Sequence, residues 1–208
     1  MIKLYYSPGA CSLAAHIILE ELKIPYQAIK VDLKTHTVDG QDYYKINPSG
    51  AVPALIVEDG KLLTQNAAVL MYLGDSDPSK HLIPKCGTFE RVRCYEWIGL
   101  VTADVHKSFG PLFSPHKFVD SENAVQELKQ HAAQNVTKSL LAVEKKLQPT
   151  QFVLGKEFSI IDAYLFVFYR WAKYLQIPLD NCPNYLTLMQ RVAERASVQA
   201  ALKMEGLI

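Results

Sequence analysis

Across the N-terminal third of the chain, apolar positions fall in short runs broken by turn residues, with two helix-length stretches between them. Lys3 to Tyr6 reads as a strand and Ser7-Pro8-Gly9-Ala10 as a turn. Cys11 to Leu22 reads as a helix carrying Leu13, Ile17, Ile18 and Leu22 along one side. Ala28 to Leu33 reads as a second strand, completing a βαβ unit. Farther on, Val52-Pro53 closes a glycine-containing turn and Ala54 to Val57 reads as a third strand. Glu58-Asp59-Gly60 is a hairpin signal, because Asp-Gly supplies the positive φ angles of a tight turn, and Lys61 to Leu63 returns as a fourth strand. Gln65-Asn66 then opens an apolar helix reaching Leu73. The predicted order is β-α-β followed by β-β-α.

After the Pro-, Gly- and polar-rich stretch from Gly74 to Gly87, every periodic segment is helical. Thr88 to Phe113 predicts a long helix interrupted near Gly110-Pro111. Ser121 to Leu147 predicts a second helix, Ser159 to Leu175 a third, and Pro183 to Leu202 two short ones. Ser159-Ile160-Ile161-Asp162 has the form of a capping box, and the following residues are apolar nearly all round, which places that helix at the centre of its domain. The expectation is two domains: 1–80, α/β and thioredoxin-like, and 87–208, all-helical.

Composition narrows the function classes. With 208 residues and 49% hydrophobic content, two small cores can be built. The net charge of +1 is not strongly segregated, which gives no support to nucleic-acid binding. No apolar run approaches the roughly 20 residues needed to cross a bilayer. Cys11, Cys86, Cys94 and Cys182 lack the paired spacing of a zinc or disulfide framework, and the six histidines are scattered, so no metal is expected. Met1-Ile2-Lys3 runs directly into a strand, and a reducing, cytoplasmic setting is the expectation.

Two local features carry chemistry. Cys11 falls at the start of a helix, where the macrodipole favours an anion and is expected to lower a thiol's pKa. This is a thioredoxin-type arrangement without the second cysteine, since position 14 is Ala14. A cis Val52-Pro53 bond is expected to turn the amide and carbonyl of Val52 outward, free to pair with an extended peptide-like ligand. Amides at the start of the Asn66 helix would then receive that ligand's carboxylate.

YYSPGACSLAAHIILEE, VDL, DYYKINPSGAVPAL and LLTQNAAVLMYL, in this order and spacing, closely resemble the N-terminal domain of glutathione S-transferases. SPGACSL is most similar to the bacterial beta class, which places a cysteine opposite the glutathione sulfur. The resemblance continues through RVRCYEWIGLVTADVHKSFGPLF, FSIIDAYLFVFYRWA and MQRVAERASVQAAL, so it covers nearly the whole chain.

It implies a site in which Cys11 faces the sulfur and Val52, beside Pro53, pairs with the cysteinyl backbone. Gln65 and Asn66 take the γ-glutamyl end. The family's acid is absent at Gln65, and Asp104, reaching across a dimer interface, is the candidate to replace it. His36, with Lys34 and Thr35 nearby, is the candidate for the glycine carboxylate. Thr102, Asp104, His106 and Lys107 match the wall of the electrophile site, and His106 is the candidate to handle the thiol proton. Tyr6 and Ser12 are neighbours that can substitute in stabilising a thiolate. The same resemblance implies a homodimeric, detoxifying transferase that joins glutathione to small hydrophobic electrophiles or exchanges it with disulfides. A glutathione-binding or regulatory protein with little turnover and a glutathione-dependent isomerase or dehalogenase stay open as alternatives.

Overall fold

The computed structural model describes residues 1–208. The first part builds a four-stranded sheet. β1 (Ile2–Tyr6) leads through a turn into α1 (Ser12–Leu22), and β2 (Tyr26–Lys30) follows, parallel to β1. β2 begins earlier than the sequence pattern predicts. Lys23 ends α1 in the left-handed conformation (φ 57°), its N–H bonding the Leu19 carbonyl at 3.1 Å, so the chain extends again directly after Pro25. The strand also stops early, because the Asp32 side chain accepts from the amides of Lys34 and Thr35 and turns the chain away.

A small ribbon of β3 (Thr37–Val38) and β4 (Gln41–Asp42) precedes β5 (Ala54–Ile56) and β6 (Leu62–Thr64), giving the sheet order β2-β1-β5-β6. The β5–β6 hairpin turns at Asp59 (φ 70°) and Gly60 (φ 73°), the two positive φ values expected of Asp-Gly. α2 (Asn66–Ser76) runs past Leu73 into the predicted linker. Gly74 makes this possible: a Cβ there would lie 3.1 Å from side-chain carbons of both Ile160 and Ile83.

The remainder is helical. α3 (Phe89–Gly99) passes into a π-helical segment, Leu100–His106, and then α4 (Lys107–Phe113). The predicted interruption at Gly110-Pro111 is therefore displaced. Pro111 is accommodated inside the last turns of α4, whereas the widened turn forms where Thr102 Oγ1 bonds back to the Ile98 carbonyl at 2.6 Å. α5 (Glu122–Lys146), α6 (Ile160–Tyr174), α7 (Pro183–Ala193) and α8 (Ala196–Met204) complete the chain.

Alternation along β1 distributes the core. Leu4 and Tyr6 face α1, α2 and the helical half, within one continuous core of 47 buried residues that also contains most of α6. Tyr5 faces the opposite way, into a small cluster with Val31, Tyr43, Val52 and Ala54. Both halves of the chain thus share one hydrophobic interior.

Candidate active site

The loop before β5 is rigid for reasons the residues make plain. The Asn47 side chain donates to the Ala51 carbonyl at 2.7 Å, and the Tyr43 hydroxyl donates to the same oxygen at 2.9 Å. Gly50 (φ 65°) packs under Tyr44, where a Cβ would approach the ring to 2.7 Å, so only glycine fits without displacing it. The Val52-Pro53 peptide is cis. The Val52 N–H finds no acceptor in the protein, as expected, but its carbonyl does not stand free: the Cys11 thiol donates to it at 3.2 Å.

Cys11 caps α1, and the Cys11 and Ser12 amides pull its thiol toward ionisation. The expected lowering of its pKa does not result. Burial dominates and pushes the thiol up to about 12, although the residue keeps some accessible surface. A helix end exerts a pull of about one kcal/mol, and desolvating a thiolate costs more than that. In this state Cys11 is a neutral hydrogen-bond donor at physiological pH.

Both backbone polar groups of Gly9, two residues before Cys11, are held by the helical half. Its N–H donates to Glu205 Oε2 at 2.8 Å, and its carbonyl accepts from the Trp171 indole at 2.8 Å. The other Glu205 oxygen lies 2.9 Å from Nδ1 of the buried His16. Trp171 in turn packs against His106, with ring centroids 5.2 Å apart. The loop carrying Cys11 and the helix carrying His106 are therefore fixed to one another through Trp171.

At the start of α2, Gln65 is exposed and adopts φ 69°, ψ 117°, outside the regions favoured by L-residues. Asn66 follows, buried at 7% exposure, with neither its side-chain nitrogen nor its side-chain oxygen meeting a partner. A buried amide left unpaired costs about 1–3 kcal/mol per group, which makes Asn66, beside the Tyr164 hydroxyl, a candidate ligand contact.

These elements enclose a cavity of ≈ 590 Å³ lined by Cys11, Val52, Pro53, Gln65, Asn66, Thr102, His106 and Lys107 among the predicted residues. A cavity of ≈ 660 Å³ at the linker, beside Pro78 and Lys85, holds none of them. His106 reaches the wall from the end of the π-helical segment, and its Nδ1 lies 2.6 Å from the Tyr164 hydroxyl. Burial first, and the neighbouring Lys107 charge second, lower its pKa to about 4, which leaves the imidazole neutral at physiological pH.

Four predicted residues lie elsewhere. Tyr6 is on the opposite face of β1, against the His16 ring at 5.3 Å, because strand alternation turns it toward α1. Tyr5 does not replace it, being stacked near Tyr43 at 5.8 Å. Ser12 is fully buried, its hydroxyl closing the turn onto the amide and carbonyl of Ser7. His36 sits behind Gly50 with its ring on Tyr44 at 4.8 Å, outside the cavity wall. Asp104 is exposed on the far face of the π-helical segment, in an open groove with Ser108 and Asn135. Within one chain it does not approach Asn66's cavity. Tyr164, by contrast, lines the cavity although its apolar helix gave no sign of it, and Asn47, whose side chain holds the loop before β5, lines it too.

The chain matches family models for the N-terminal domain of glutathione S-transferase over residues 9–76 and for its C-terminal domain over residues 103–205. It is 39% identical to glutathione S-transferase GstA of Escherichia coli O157:H7, with 99% of this chain and all of that protein aligned.

The chain belongs to the glutathione S-transferase family.

Solved glutathione S-transferases agree in three dimensions. A bacterial beta class enzyme of Sphingomonas chungbukensis superposes with a TM-score of 0.90 at 42% identity, covering 99% of this chain and 100% of that one. A sphingomonad glutathione S-transferase complexed with glutathione superposes with a TM-score of 0.88 at 38% identity over 99% of this chain and 100% of that one. The transferase fold thus brings Cys11, Val52, Asn66 and His106 from four separate segments to a single cavity.

Proposed function

We propose that this glutathione S-transferase binds glutathione in the Cys11 cavity and conjugates it to small electrophiles held against the helical wall. Glutathione's cysteinyl unit pairs with Val52, its γ-glutamyl carboxylate meets the first amides of α2 at Asn66, and its sulfur meets Cys11. The observation that carries this reading is Asn66, a buried residue with both side-chain polar atoms unpaired, in the lining of the same cavity as the thiol. The solved sphingomonad relative with glutathione supports the same ligand. Because Cys11 is a neutral donor, its S–H turns from the Val52 carbonyl to glutathione's sulfur and favours that sulfur as a thiolate. The thiolate then attacks the electrophilic carbon and the leaving group departs with its electron pair. His106, neutral and fixed by Tyr164, borders the space in which this happens.

Calorimetry with reduced glutathione tests the binding. Wild type should bind, and Asn66→Ala should bind about tenfold or more weakly, the scale of one or two hydrogen bonds to a charged ligand group. Because the backbone amides of α2 survive the substitution, equal affinity in the variant would show that the Asn66 side chain does not touch the ligand and would remove the observation on which this reading rests.

The working unit is proposed to be a homodimer. Phe89, Val92 and Tyr95 are exposed at helical spacing on one face of α3, and Tyr72 and Leu62 are exposed on α2 and β6. Such a set of large apolar side chains marks a surface normally covered. Asp104, unable to serve its own chain's site, would serve a partner's. Light scattering should give twice the 23.4 kDa chain mass, and a monomer at micromolar concentration would refute the assembly. A cytoplasmic role in detoxification fits this chemistry.

A further inference from the structure

The cavity's electrostatics point to a narrower class of second substrate. Of the side chains that line it, only Lys107 carries a formal charge. His106 is neutral there, and no aspartate or glutamate lines the space. Lys107 forms no ion pair within the chain, and even Asp104, three residues earlier on the same helix, does not come within 4.0 Å of it. Lys107 is exposed and borders two spaces, this cavity's helical wall, together with Thr102, Gly110, Phe118 and Tyr164, and the open groove that holds Asp104, whereas the proposed glutathione contacts at Val52, Gln65 and Asn66 belong to the cavity's other wall.

From this placement we propose that Lys107 is a specificity-determining residue that selects electrophiles bearing a carboxylate. This selection rests on the glutathione reading of the cavity and adds a charge requirement to it. An electrophile reacting at a sulfur beside Cys11 must lie across the cavity toward the helical wall. Its apolar body meets Phe118 and the Tyr164 ring, and an anionic group at its far end finds the one cation available. The exposure of the lysine keeps that attraction moderate and sensitive to salt. A neutral aryl electrophile leaves Lys107 unpaired and gains nothing from it.

Binding of two conjugates measured by calorimetry separates this inference from the reading beneath it. S-benzylglutathione is the neutral probe, and S-(4-carboxybenzyl)glutathione carries a carboxylate at the far end of the ring. Wild type should prefer the carboxylated conjugate by about fivefold at low ionic strength, and added salt should shrink the preference. Lys107→Met should abolish the preference, Lys107→Glu should reverse it, and Lys107→Arg should restore it. A similar loss for both conjugates in Lys107→Met would assign the lysine to glutathione itself and overturn the proposal. So would equal affinity of wild type for the two conjugates. Failure of both to bind wild type would instead overturn the glutathione site, and this inference with it.

Discussion

Replacing Cys11 by alanine is expected to abolish the mixed disulfide with glutathione while weakening glutathione binding by only about 1 kcal/mol, the scale of a single hydrogen bond. Backbone and helix-end groups hold the tripeptide; Cys11 addresses its sulfur alone. In wild type, the small thiolate fraction attacks oxidised glutathione, forming a Cys11–glutathione disulfide and releasing one reduced glutathione. With a thiol pKa pushed up to about 12, that exchange should be slow at neutral pH and accelerate as pH rises. Conjugation loses the S–H donor but keeps the Cys11 and Ser12 amides. Its kcat/KM should fall by about fivefold rather than vanish. Intact mass after treatment with oxidised glutathione, together with aryl halide turnover, reads both effects. The comparison belongs in a Cys86→Ser background, since Cys86 is the exposed thiol of the chain and would report an adduct of its own. A persistent adduct in the double variant would move the exchange chemistry away from Cys11.

Asp162→Ala should be the most destabilising of the substitutions considered, by about 3–4 kcal/mol. Asp162 is fully buried at the start of α6 and accepts from the Val153 amide at 2.9 Å, the Ser159 amide at 2.9 Å and the Ser159 hydroxyl at 2.5 Å. Alanine leaves all three donors buried without an acceptor. At this chain length, the melting temperature should drop by about 10 °C. Burial raises the carboxyl to about 6 despite those donors, from 3.8 when unfolded. Between these values the folded state binds the extra proton. The contribution of Asp162 is then complete below pH 3.8 and partly lost as pH rises through 6. The stability gap between wild type and variant should therefore narrow from about pH 4 to about pH 7. A gap that widens over this range would mean the donors, not burial, control the carboxyl. Loss of stability with unchanged glutathione affinity in the folded fraction would separate this role from the site.

Where neighbouring residues alone decide a conformation, the sequence sufficed. Asp59-Gly60 turns the hairpin because those residues tolerate positive φ, Val52-Pro53 is the bond at which a cis peptide costs little, and the Ser159–Asp162 cap closes within one turn of helix. The β-α-β and β-β-α order, the helical second half and the convergence of Cys11, Val52, Asn66 and His106 followed from these signals together with the family resemblance. The ends of β2 and the site of the helix interruption did not, since Lys23, Asp32 and Thr102 bond across one turn in ways hydrophobic periodicity does not register.

Protonation and orientation were decided only by tertiary structure. Helix position alone predicts an acidic Cys11; burial makes it a neutral donor to Val52. Tyr6 looks available in the sequence, yet pairing with β2 and β5 turns it onto His16, and Tyr164, hidden in an apolar helix, takes a place at the cavity beside His106. The unpaired state of Lys107 likewise depends on which acids fold within reach of it. Backbone conformation answers largely to adjacent residues, whereas desolvation and charge depend on every atom packed nearby, most of them distant in the chain.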